Sequence, residues 1–207
     1  MHILSHRGYW KKPEEKNSME AMKLSFSLGF GVETDVRDYG GELVISHDIP
    51  DESAIKFRDF LELYSKYDQN LFLALNIKSD GLQLKLKNIL QEYKVTNYFV
   101  FDMSVPDGLL YLKQEMKVFT RQSEYERDPS FYKEADGIWV DCFLGDWINE
   151  NVISGHLNNH KKLCIVSPEL HKRKYYDVWD CYRSFSKNDR VFLCTDYPEE
   201  AKAFFNL

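Results

Sequence analysis

The stretch GVETDVRDYGGELVISHDIP, residues 31–50, decides how many strands the chain carries and with that its fold. GVETDVRD (31–38) and ELVISH (42–47) are both β-rich, and Gly40-Gly41 between them is a turn signal. Taken separately, they bring the strand candidates to nine; taken as one strand with a short β-return, they leave eight. The other candidates are HILSH (2–6), LFLALNIK (71–78), YFVFD (98–102), KVFTR (117–121), GIWVDCF (137–143), KLCIVSPE (162–169) and RVFLCTD (190–196). Helical patterns fall at 17–28, 57–67, 80–93, 105–115, 146–158, 173–185 and 198–206. In 57–67, Phe57, Phe60, Leu61, Leu63 and Tyr64 recur at helical spacing. Strand–helix alternation from end to end predicts a parallel sheet, and eight repeats predict an α/β fold, a compact (β/α)8 barrel. A doubly wound open sheet is the alternative. Residues 1–207 read as a single domain, short for a barrel class in which about 250 residues is typical.

Hydrophobic residues make up 43% of the chain and aromatic residues 15%, enough for a folded core. The longest apolar runs, such as LFLAL (71–75), are too short to span a bilayer. MHIL at the start does not read as a signal peptide, so a cytoplasmic location and no stable membrane insertion are expected. A net charge of -6 speaks against a nucleic-acid partner, and an anionic substrate must be attracted by a metal or a few placed cations. Cys142, Cys164, Cys181 and Cys194 form no CxxC pair, and contexts such as KLCIV and VFLCT read as buried reduced thiols rather than zinc ligands or disulfides. Oligomeric state has no signature in the sequence.

In a parallel barrel the reacting groups gather at the carboxyl ends of the strands, and the polar motifs of this chain fall there. His6-Arg7-Gly8 ends the first strand, Glu33 and Asp35 lie late in the second, His47-Asp48 follows the return, and Asn76 and Lys78 end LALNIK. Residues two apart on a strand share a face, so Glu33 points with Asp35 and Asn76 with Lys78. Two carboxylates with a nearby oxygen donor suit a hard divalent cation such as Mg2+ or Ca2+. His6 and His47 flanking that cation suit general acid and base work near neutral pH. Arg7 as a fork and Lys78 as a point charge can hold phosphate oxygens. Such parts fit cleavage of a small-molecule phosphodiester, where positioning and charge neutralisation do most of the work. Taken singly, the same residues also suit a solvated strand edge or structural ion pairs.

Further candidates for substrate contact stand at later strand ends: Arg121 for a second anionic group, Trp139 for stacking or walling the pocket, and Asp141, Glu169 and Asp196. His156, His160 and His171 have Lys and Asn neighbours and read as surface residues. HKRK (171–174) reads as a solvated loop and KYYDVWDCYRSF (174–185) as barrel-facing packing.

These motifs, in this order, resemble the glycerophosphodiester phosphodiesterase family of the PLC-like phosphodiesterase barrels, nearly from end to end. The family's opening HRG stands here as His6-Arg7-Gly8, and its ENT helix start is similar to Asn17-Ser18, with Lys16 in place of the acid. Its G…E.DV block is Gly31, Glu33, Asp35 and Val36, its HD is His47-Asp48, and its closing TDYP is Thr195-Asp196-Tyr197-Pro198. The resemblance implies a (β/α)8 barrel, a divalent metal and two catalytic histidines. It also implies a third metal ligand, the acid of an E-x-K strand, where this chain reads Asn76-Ile77-Lys78. Two unit charges about 4 Å apart are worth roughly 4 kcal/mol at an effective dielectric near 20, so a site that keeps only the amide oxygen should bind metal more weakly.

A second departure is the short segment between His47-Asp48 and the helix near Phe57, where typical relatives carry a longer insertion that helps cover the substrate. A more open mouth follows, and with it an open question of specificity. The expected activity is metal-dependent cleavage of a glycerophosphodiester-like substrate into an alcohol and a phosphomonoester. A cyclic phosphate is the other product, as in the related sphingomyelinase-D-like phospholipases. Alternatives are a different diester, such as a lipid headgroup or a nucleotide-linked polyol or sugar, and a non-catalytic barrel that holds a phosphorylated ligand.

Overall fold

The two glycines settle the strand count. In the computed structural model, which describes residues 1–207, Gly40 and Gly41 both have positive φ, +56° and +84°, as the tightest hairpin turn requires. β2 (Gly31–Tyr39) therefore folds straight back on itself as β3 (Glu42–Ile45), with Tyr39 opposite Glu42. A two-residue strand, β4 (Ile55–Lys56), completes this antiparallel excursion. The remaining strands are β1 (His2–His6), β5 (Leu73–Ile77), β6 (Tyr98–Phe101), β7 (Phe119–Gln122), β8 (Gly137–Val140), β9 (Lys162–Val166) and β10 (Val191–Thr195). They pair in parallel with β2 in the order β1-β2-β5-β6 on one side and β1-β10-β9-β8-β7 on the other. A parallel bridge between Val100 and Val118 joins β6 to the start of β7 and closes the ring of eight. This is the (β/α)8 barrel expected from the alternation.

Seven α-helices surround it: α1 (Met19–Ser27), α2 (Phe57–Tyr64), α3 (Gln83–Glu92), α4 (Val105–Lys113), α5 (Glu150–Asn158), α6 (Tyr176–Asp180) and α7 (Pro198–Phe205). None is long and apolar enough to cross a membrane. In α2 the residues Phe57, Phe60, Leu61 and Tyr64 are buried, one stripe laid against the barrel. The helices are shorter than the sequence pattern, and in two regions the contacts that limit them are visible. The stretch 143–145 is held as a loop because Glu124 accepts the backbone N–H groups of Phe143, Leu144 and Gly145. α5 starts only where the Asn149 side chain caps it, accepting from the N–H groups of Asn151 and Val152. The aromatic stretch 173–185 breaks into α6 and one further turn, Arg183–Phe185, with the Trp179 indole donating to Ser167 Oγ at 2.8 Å.

Alternation along the strands sorts the core into layers. Val32, Val36, Leu73, Leu75 and Ile77 face the helices, whereas Leu4, Ala74, Phe99, Phe101, Phe119, Trp139, Cys164, Val166, Phe192 and Cys194 fill the barrel interior. Phe99 stacks on Phe119 with centroids 3.8 Å apart, and Phe101 on Trp139 at the same separation. Phe192 is fully buried and meets the rings of His2, Phe72, Phe99 and Phe119. Phe192→Ala is expected to cost about 3–5 kcal/mol, because the ring's loss opens a cavity that a closed barrel cannot collapse around. Urea unfolding would show this as a fall in midpoint at constant slope. With the interior filled by aromatics, the polar side chains of the inward face gather at the carboxyl ends of the strands.

Candidate active site

At those ends the register sets the geometry. His6 lies opposite Glu33 on the neighbouring strand, and Asp35 opposite Asn76. All four therefore face the barrel axis, and the two acids are buried. His6 Nδ1 pairs with Asp196 Oδ1 at 2.7 Å, which leaves Nε2 toward Glu33, 3.9 Å from Oε2. Arg7 turns the chain sharply at φ +58° and donates its backbone N–H to the Glu33 carboxylate at 3.2 Å. Gly8 follows at φ +81°, packed so close to α1 that a Cβ would lie 2.8 Å from the Ala21 backbone. Only glycine meets both demands.

Asp35 is the hub. Arg7 Nε lies 3.0 Å from Asp35 Oδ2, an ion pair without the alignment of a hydrogen bond, and Lys78 Nζ lies 3.6 Å from Oδ1. Asn17 donates from Nδ2 to Asp35 Oδ2 at 2.9 Å, while its own Oδ1 accepts from Thr34 and its backbone N–H donates to the Arg7 carbonyl. Lys78 also reaches Asp102 at 3.2 Å, and Asp102 in turn pairs with Arg121, which a second carboxylate, Glu126, holds from its other side. Burial, and then the charge of Asp35, pushes the Glu33 carboxyl up to about 7.

Of the residues singled out by sequence, His6, Arg7, Glu33, Asp35, Asn76 and Lys78 form one chain of contacts, and Arg121 joins it through Asp102. His47 stands apart. Its polar side-chain contact is with its neighbour Asp48 at 3.0 Å, it is 44% exposed, and it shares with Arg7 a cleft of about 500 Å³ between Lys16 and Ile55. Trp139 is buried beneath the mouth. Asp196 holds His6, and Glu169 accepts from Ser167, Thr195 and the Asp196 backbone. Burial pushes Glu169 and Asp141 up from the usual carboxylate range.

Two histidines read as surface residues are held by partners, one of them buried. His156 is buried between Tyr132 and Gln122, bonded to both. His171 binds Asp141 at 2.6 Å, its ring against Phe143. Their partners come from distant segments, which local composition does not reveal. Asn17, read as a helix start, also anchors Asp35. Asp102 was legible only as the last residue of a strand candidate.

The donor set fits a hard cation. Two buried oxygens, Asp35 Oδ1 and Asn76 Oδ1, have no hydrogen-bond partner, and buried acceptors left unmade are costly. Glu33 adds a second carboxylate, its Oε1 accepting from Asn76 Nδ2 at 3.3 Å. The set is all oxygen, as Mg2+ and Ca2+ prefer, with an amide at position 76 in place of a third carboxylate, and no cluster of three His, Cys, Asp or Glu side chains is present.

No protein-family model matches the chain, and no curated protein does. Solved structures do. A phosphodiesterase from Oleispira antarctica, determined with the product sn-glycerol-3-phosphate, aligns over 100% of this chain and 97% of its own with a TM-score of 0.73 at 15% identity. A glycerophosphodiester phosphodiesterase from Agrobacterium tumefaciens aligns over 99% of this chain and 98% of its own at 0.72 and 14%. A Ca2+-dependent phosphatidylinositol-specific phospholipase C from Streptomyces antibioticus aligns over 99% and 95% at 0.61 and 10%. The fold of this chain is thus the (β/α)8 barrel that these solved structures share.

Proposed function

We propose that the protein is a divalent-metal-dependent phosphodiesterase acting on a small-molecule, glycerophosphodiester-like substrate, with His6 and His47 as acid and base. The observation that carries this reading is the convergence of a carboxylate-held His6, two buried acids and two partly exposed cations at one barrel mouth. Glu33, Asp35 and Asn76 would hold the metal, Mg2+ or Ca2+, whose charge polarises a phosphoryl oxygen when bound. Arg7 and Lys78 take the remaining phosphate oxygens. Asp196 fixes the His6 ring so that Nε2 faces the reacting atoms. One of His6 and His47 removes the proton from the attacking hydroxyl or water, and the other returns one to the leaving alkoxide. Four free cysteines support a reducing, cytoplasmic setting.

Hydrolysis of bis(p-nitrophenyl) phosphate after EDTA, then with Mg2+, Ca2+ or Mn2+ restored, tests the reading. Activity should vanish and return. A rate untouched by exhaustive chelation would sink the metal. No turnover with any metal would favour a barrel that only binds, which calorimetric titration with inorganic phosphate would then reveal.

A further inference from the structure

The mouth carries a second carboxylate-held histidine that the proposed chemistry does not use. Asp141 follows β8 on the same face as Trp139, whose ring lies in the barrel interior, and it accepts from His171 Nε2 at 2.6 Å. In the ring of strands β8 stands opposite β2, so this pair faces Glu33 and Asp35 across the mouth. The segment that presents His171 is tightly fixed. Ser167 binds Glu169, Lys172 takes a left-handed φ of +59°, and Arg173 donates to the Cys142 carbonyl at 2.7 Å while pairing with Asp146. His171 keeps Nδ1 free of any protein partner, and its side chain is 24% exposed.

Charge pairing on this wall narrows what it can bind. Lys78, Asp102, Arg121 and Glu126 are paired with one another, and Asp141 with His171. Arg121 is thus taken up by two carboxylates, and the Glu169 carboxylate by the Ser167 and Thr195 hydroxyls. Partly satisfied donors and acceptors suit neutral hydroxyls.

We infer that His171, oriented by Asp141, is a specificity-determining residue that hydrogen-bonds a hydroxyl of a polyol alcohol in the substrate through Nδ1. This rests on the phosphodiesterase reading. The test compares two substrates, bis(p-nitrophenyl) phosphate, which has no hydroxyl, and sn-glycero-3-phospho-myo-inositol, in wild type, His171→Ala and Asp141→Asn. In both variants KM for the inositol diester should rise about tenfold with kcat little changed, as the loss of one hydrogen bond predicts. Turnover of bis(p-nitrophenyl) phosphate should stay within twofold of wild type. Unchanged KM for the inositol diester, equal losses on both substrates, or a wild type that cleaves only the nitrophenyl diester would each overturn the inference. A wild type that cleaves neither overturns the phosphodiesterase reading itself, a result distinct from the others.

Discussion

His6→Ala is expected to lower kcat by about 10²- to 10⁴-fold, the range that a positioned general acid or base contributes, while the barrel stays folded. The side chain lies among the polar groups of the mouth and outside the aromatic cluster of the interior. The substitution removes the only imidazole held between two carboxylates, Asp196 on Nδ1 and Glu33 toward Nε2. Asp196→Asn should cost a smaller factor, since it acts through the ring's orientation. His47→Ala sets the comparison, because the His47 ring has one polar partner, Asp48, itself 93% exposed. A loss in His47→Ala equal to that in His6→Ala would mean that substrate binding draws the His47 loop over the cleft. Wild-type turnover in His6→Ala, with an unchanged circular dichroism spectrum, would remove His6 from the mechanism.

That His6, Glu33, Asp35, Asn76 and Lys78 meet at one barrel mouth follows from strand geometry. A period of two fixes which side chains share a face, so Glu33 with Asp35, and Asn76 with Lys78, were legible as pairs aimed the same way. Parallel pairing then brings strand ends together whatever the loops do, and the Asp35–Asn76 register completes the set. What was not legible depends on contacts between distant segments. His171 sits in a basic stretch, and nothing local marks Asp141, thirty residues earlier, as its partner. The loop before α5 is held by Glu124, which captures the backbone N–H groups of Phe143, Leu144 and Gly145 from just past the neighbouring strand β7. Arg121 was read as free to meet a second anion, whereas Asp102 and Glu126 hold it. Charge pairing is a tertiary property, and composition alone does not show which cations are already taken.

Asp35→Asn should separate what Asp35 does for the fold from what it does for the chemistry. The substitution keeps the shape, and its amide oxygen can still accept from Asn17. It removes a fully buried charge that Arg7, Lys78 and Asn17 only partly compensate, since one of its oxygens has no hydrogen-bond partner. It also lifts the repulsion that, with burial, raises the Glu33 carboxyl. Stability without metal should therefore change little. Asp35→Ala, by contrast, strands Arg7 and Lys78 beside an empty space. Breaking a buried pair by deleting one partner costs about 3–5 kcal/mol, and the lower end applies because both cations keep some contact with water and Lys78 retains Asp102. In Asp35→Asn the loss should fall on the metal. A cation that binds only the folded state raises the melting temperature, by an amount that grows with the logarithm of its concentration over its Kd, so Mg2+ or Ca2+ should raise Tm in wild type and leave the variant unmoved, with turnover lost at every metal concentration reached. A preserved Tm rise with preserved turnover would show that Glu33 and Asn76 suffice and that Asp35 serves only to anchor Arg7 and Lys78. A preserved Tm rise without turnover would place its charge in the reaction rather than in metal binding. A variant more stable than wild type yet inactive would identify Asp35 as a charge kept at the expense of the fold because the site requires it.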